Sequence, residues 1–202
     1  MTANNEEQEL KDRLSLIENM IAEGRRTTES WGWTFVLWGV AYYVAIACSA
    51  WGSHSSLAWL AWPVTMVAAS VLTGVFASRQ KRSRPNTTLG RAMSSIWIAT
   101  GVSLFIVTMC LAISGRYDLH VYVAIIGAML GAANATSSLI LKWKMQFACA
   151  LVWWAAAAVA CFTSEVVTGI AFLAALFFCQ IVFGVYSMIC ESRRRNQGAT
   201  HA

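Results

Sequence analysis

Charge is what this 202-residue chain has least of. Between Glu29 and Arg79 there is no Asp, Glu, Lys or Arg, and the same gap recurs from Ala92 to Gly115, Leu119 to Leu141, Met145 to Ser164 and Val166 to Cys190. A helix needs about 20 apolar residues to cross roughly 30 Å of hydrocarbon, so these windows predict six transmembrane helices, with two in the first window. Only 12% of residues are charged and 57% are hydrophobic, against a charged fraction of roughly 25% in soluble domains. That balance excludes an ordinary water-soluble fold.

A second absence bears on function. The predicted spans are Trp31 to Trp51, Leu57 to Ala77, Ser95 to Ser114, Val121 to Leu141, Met145 to Thr163 and Thr168 to Cys190, and none contains an Asp, Glu or His. Hydrolysis or group transfer inside a membrane needs a nucleophile with a base, or carboxylates on a metal, and proton-coupled transport needs a titratable group at depth. The helices lack these groups, so no catalytic residue, cofactor or enzymatic activity is expected. The six cysteines, Cys48, Cys110, Cys149, Cys161, Cys179 and Cys190, form no C-x-x-C pair. In apolar helices they read as small hydrophobes; convergence of Cys48, Cys110 and Cys161 with His54 or His120 on a soft metal is the sharper alternative, and no spacing demands it.

The charges that are present cluster. Lys11, Arg13, Arg25, Arg26, then Arg79, Lys81, Arg82, Arg84 and Arg91 around Pro85, then Lys142, Lys144 and Arg193 to Arg195 all fall on one side of a six-span map, leaving Arg116 on the other. Cations favour the cytoplasmic side, so both termini are expected there, in a bacterial-type inner (plasma) membrane. The basic inner face is expected to meet anionic lipid headgroups and not nucleic acid. Trp31, Trp33, Trp97 and Trp143 at inner ends, and Trp51, Trp59 and Trp62 at outer ends, suit the headgroup boundary. Trp38, Trp153 and Trp154 lie deeper, the last two before the smooth strip Ala155 to Ala158.

Polarity inside the spans is uncharged. Gly127 and Gly131 form G-x-x-x-G, Ala135 continues the row, and Asn134, Ser137 and Ser138 adjoin it. This small face predicts close helix packing, with Asn134 hydrogen-bonding across the contact and Gln180 as its best chemical match. Alternatively Asn134, Ser137, Ser138, Gln180, Tyr42 and Tyr43 line a path for a small neutral or weakly polar solute. Gly39 to Val44 with Cys48 aligns without gaps on Gly101 to Ile106 with Cys110, which predicts three helical hairpins related as repeats.

Residues 1–30 hold the clearest extramembrane signal. Leu10, Leu14, Ile17 and Ile21 follow a 4-3-4 spacing with acidic and basic residues between them, the mark of an amphipathic helix that Gly24 is expected to end or loosen. Its acidic surface favours a protein partner or self-association over anionic lipid. The expectation is therefore an all-α integral membrane protein: a cytoplasmic amphipathic helix and linker (1–30), a six-helix transmembrane domain (31–190) and a basic tail (191–202). Its function is expected to be of structural or interaction type, as a membrane subunit or partner-binding protein, with a channel or facilitator as the alternative.

Overall fold

The computed structural model describes residues 2–51, 61–81, 88–116 and 118–199, and among them there is helix and short connection but no strand. The elements are α1 (Thr2–Glu29), α2 (Gly32–Trp51), α3 (Ala61–Lys81), α4 (Thr88–Ser114), α5 (Leu119–Leu141), α6 (Lys144–Phe162), α7 (Glu165–Leu176), a π-helical segment (Phe177–Val182) and α8 (Phe183–Ala199). Helices α2 to α6, and the rod made by α7, the π segment and α8, supply six stretches long and apolar enough to cross a membrane. The windows without charge therefore coincide with helices. Expected boundaries shift outward: α4 begins at Thr88 and carries Arg91 in its opening turns, and the last rod runs on through Glu191 to Ala199. His54, Trp59, Arg82, Arg84 and Pro85 lie outside the described residues.

Apolar side chains cover the outside and polar ones collect within. Val64, Val67 and Val71 on α3, Ile98, Val102 and Ile106 on α4, and Val166 and Ile170 on α7 are exposed, whereas Asn134, Ser137, Ser138, Gln146, Thr168, Gln180 and Ser187 are buried. Water-soluble proteins show the opposite pattern, and this one suggests a multi-pass membrane protein. The core joins Phe35 and Tyr42 of α2 with Tyr122, Val123, Ile126 and Leu130 of α5, Trp153 of α6, Phe172 and Leu176 of α7, and Phe183 of α8.

Each expected hairpin pair, α2 with α3, α4 with α5 and α6 with α7, is in contact, but helix packing is not confined to these pairs. The most extensive contact is α5 with α6, which straddles the expected second and third hairpins, and α2 packs both on α3 and on the final rod. A two-residue turn explains the first fact: Lys142 takes the left-handed conformation (φ 50°), its N–H and that of Trp143 both donate to the Ser138 carbonyl, and α6 must fold straight back. The aligned glycines also differ. A Cβ on Gly39 would lie 2.9 Å from Gln180 Cβ, while one on Gly101 would have open space around it.

Gly24 corrects another expectation. Helix α1 passes through it without a break to Glu29. The residue is buried, and a Cβ there would overlap Leu89 of α4 and come within 2.9 Å of Leu141 Cδ2 of α5. Glycine here permits a close approach between helices and does not stop one.

Candidate functional site

Two regions carry features that packing alone does not account for. The first is a buried polar seam between α5, α6 and the final rod. Ring contact between Trp143 and Phe183 (centroids 5.1 Å apart) and the approach of Cys179 Sγ to the Cys149 carbonyl (3.5 Å) bracket one stretch of the α6–rod contact. Within that bracket lie Gln146 on α6 and Gln180 on the π segment, both buried. Neither amide atom of Gln146 has a hydrogen-bond partner, and the same holds for Asn134 Oδ1, Ser137 Oγ and Trp153 Nε1. Buried polar groups are nearly always paired, so this cluster marks the least satisfied place in the bundle.

The expected bridge from Asn134 to Gln180 is not formed. Asn134 Nδ2 instead donates to Leu130 O on its own helix at 2.8 Å, a bond that costs no alignment between helices. Ser138 is buried, and its carbonyl holds the α5–α6 turn. Gln180 sits where the rod widens into a π segment, a form of helix common at functional positions, and Gly39 leaves room for that bulge. The Tyr43 hydroxyl donates to Leu173 O at 2.8 Å, beside the junction where the Phe177 N–H is shared between Leu173 O and Ala174 O. That bond ties α2 to the end of α7, so Tyr43 is engaged structurally.

Tyr42 is also drawn into packing. Tyr42, Trp62, Tyr122 and Phe172 close an edge-to-face circuit with centroid separations of 5.9, 6.2, 6.2 and 6.4 Å, and Trp153 adds to Phe172 at 6.1 Å. Rings from α2, α3, α5, α6 and α7 thereby meet at one point, in the geometry aromatic pairs prefer. Gly127 and Gly131 face α6: a Cβ on Gly127 would lie 2.8 Å from Trp153 O and 2.9 Å from Ala157 Cβ, and one on Gly131 would overlap the Trp154 indole. Ala135 is buried on the same helix.

Cys48, Cys110 and Cys161 are exposed, and among the described residues no group of three His, Cys, Asp or Glu converges. His120 places Nε2 3.0 Å from Thr163 O, so Nε2 carries the hydrogen, and turns Nδ1 toward Asp118 Oδ1 at 3.5 Å. The Val121 N–H bonds Asp118 as the cap of α5, and this bond with the nearby His120 holds the carboxyl below its ordinary range.

The second region is the N-terminal arm of α1. Residues 6–20 are exposed on every side, including Leu10, Leu14, Leu16, Ile17 and Met20 at 47–61% exposure, and only toward Ile21 and Gly24 does the helix meet the bundle. Of the seam residues, Gln146 escapes a reading from the sequence because it lies two positions from Lys144 and resembles a boundary residue. Its spacing with Ala150, Trp153, Ala156 and Ala160, all buried, is the signal that places it on the inward face of α6. Comparison of the chain with protein-family models, curated proteins and solved structures returns no match.

Proposed function

We propose that this chain is an inner-membrane protein of structural or interaction type, a non-catalytic membrane subunit that presents α1 as an assembly element on the cytoplasmic side. The observation that carries the reading is the exposed stripe of Leu10, Leu14 and Ile17 on a helix whose far end is fixed to the bundle at Gly24. At ~25 cal/mol per Å² of apolar surface, covering these side chains and Ile21 supplies several kcal/mol to an interface, enough to outweigh ordering of a helix already formed. The charge distribution supports the orientation, since Arg91, Lys142 and Lys144 gather at the end of the bundle that α1 meets, where anionic lipid would neutralise them.

The test is the mass of the particle extracted in mild detergent. Leu14→Asp with Ile17→Asp should reduce it toward that of one chain while the melting temperature of the bundle stays unchanged. An unchanged mass overturns the proposal. One observation favours a second reading, a facilitator for a small neutral or weakly polar solute: the unpartnered groups of Gln146, Asn134 and Ser137 offer donors and acceptors at depth. Solute-driven swelling of proteoliposomes, compared between wild type and Gln146→Leu, tests it.

A further inference from the structure

We propose that the partner of α1 is a second copy of α1, joined as a parallel, in-register two-stranded coiled coil from Leu10 to Ile21. This rests on the reading of α1 as an assembly element and names its occupant.

The heptad follows from the spacing. Leu14 and Ile21 fall at a, Leu10 and Ile17 at d, and Gln8, Glu9, Asp12, Ser15 and Asn19 occupy outward positions, with Leu16 alone departing from polarity. The seam has natural ends: Glu7 is the preceding a residue, and Gly24, the next d, is already packed on Leu89 and Leu141 of its own chain.

Charge decides between possible occupants. In a parallel pair, each g residue lies against the e residue of the following heptad on the other helix. Here g holds Glu6, Arg13 and the uncharged Met20, and e holds Lys11 and Glu18. Glu6 therefore meets the partner's Lys11, and Arg13 meets the partner's Glu18, so both pairs have opposite sign. Lys11 and Arg13 now bond Glu7 and Glu9 along their own helix, at 2.7 and 2.5 Å, and lie on the exposed surface, within reach of a partner. Two heptads are too short for a stable coil between free peptides. Confinement to a membrane and the fixed end at Gly24 raise the effective concentration of one arm near another.

The test uses the full chain in its membrane. Leu10→Cys, at the seam, should give a disulfide-linked dimer on mild oxidation with copper–phenanthroline. Asp12→Cys, on the outward face, and wild type, with its native cysteines alone, should not. In the Leu10→Cys chain, Arg13→Glu should lower the dimer yield roughly tenfold, because two symmetry-related contacts turn from attraction to repulsion. Adding Glu18→Arg should restore it, although the contact with Glu9 stays repulsive, so recovery reports the contact between chains. Equal cross-linking at positions 10 and 12, or failure of the double exchange to restore the dimer, overturns the parallel register. If Leu10→Cys gives no dimer but Leu14→Asp with Ile17→Asp still reduces the particle mass, the arm holds a different chain; this inference falls and the assembly reading stands. If neither variant has an effect, both fall.

Discussion

Gly127→Ala is the sharpest probe of how the bundle is held, because a single methyl group there meets backbone. The added Cβ would lie 2.8 Å from Trp153 O, 2.9 Å from Ala157 Cβ and 3.2 Å from Ala157 N, where ordinary contact begins at 3.4 Å. No rotamer change relieves such a clash, so α5 and α6 must separate by about 0.6 Å along the most extensive contact in the molecule. Overpacking of this kind costs about 1–3 kcal/mol, and the better helix propensity of alanine returns about 1 kcal/mol. The net loss of up to about 2 kcal/mol should lower the melting temperature in detergent by up to several degrees, at about 2–4 °C per kcal/mol for a chain of this size. Gly131→Ala should cost less, since it meets the Trp154 indole, which is 40% exposed and can turn outward. Gly74→Ala and Gly101→Ala, with open space at the Cβ, should be neutral or slightly stabilising. Melting followed by aggregation or tryptophan fluorescence reads all four variants. Equal melting temperatures for Gly127→Ala and Gly101→Ala would refute the close approach of α5 to α6.

Gln146→Leu replaces a fully buried amide that lacks partners, so it should stabilise the protein by about 1–2 kcal/mol and leave solute permeability unchanged; a loss of permeability would instead establish the facilitator. Asp118 caps α5 with a lowered carboxyl pKa, so its contribution is present above the unfolded carboxylate range and is lost as pH falls through the folded value. Wild type should therefore melt lower as the medium is acidified into that range, and Asp118→Asn should remove that part of the slope; an identical pH profile would show that the cap adds nothing. Finally, a reporter active only outside the cytoplasm, fused after Ala202, should be silent, and activity would reverse the assigned orientation.

The parts of the fold legible in the sequence are those that one strong force determines. Absence of Lys, Arg, Asp and Glu runs through every residue of an apolar window, so it outlined the helices despite shifted ends. Pairing between helices was less legible because it rests on local shape. The α5–α6 contact depends on a turn in which Lys142 adopts a conformation that glycine usually takes, and nothing in its side chain announces that. Asn134 satisfied its donor on Leu130 of its own helix, an option a spacing argument leaves aside. The π segment around Gln180 inserts an irregularity for which the sequence offers only the nearby fact that Gly39 can make room. Gly24 shows the same ambiguity in one residue, since glycine serves equally as a stop and as a point of close approach.

That ambiguity has a consequence for how α1 acts. A glycine hinge would leave the arm free to swing, and assembly at Leu10 to Ile21 would impose little on the membrane domain. With Gly24 packed on Leu89 and Leu141, the arm is continuous with the ends of α4 and α5. Helix α4 packs chiefly on α5 and α1, with Trp97 edge-on to Phe35 of α2, while Ile98, Val102 and Ile106 face outward. Forces borne by the arm therefore act directly on α4 as well as on α5, which anchors the best-packed pair. The seam of Asn134, Ser137 and Gln146 belongs to that pair and is buried, so pairing of two arms at Leu10 to Ile21 would not involve the seam residues themselves. The exposed arm and the buried polar groups thus involve different residues, which is why variants in α1 and at Gln146 separate the two functional readings.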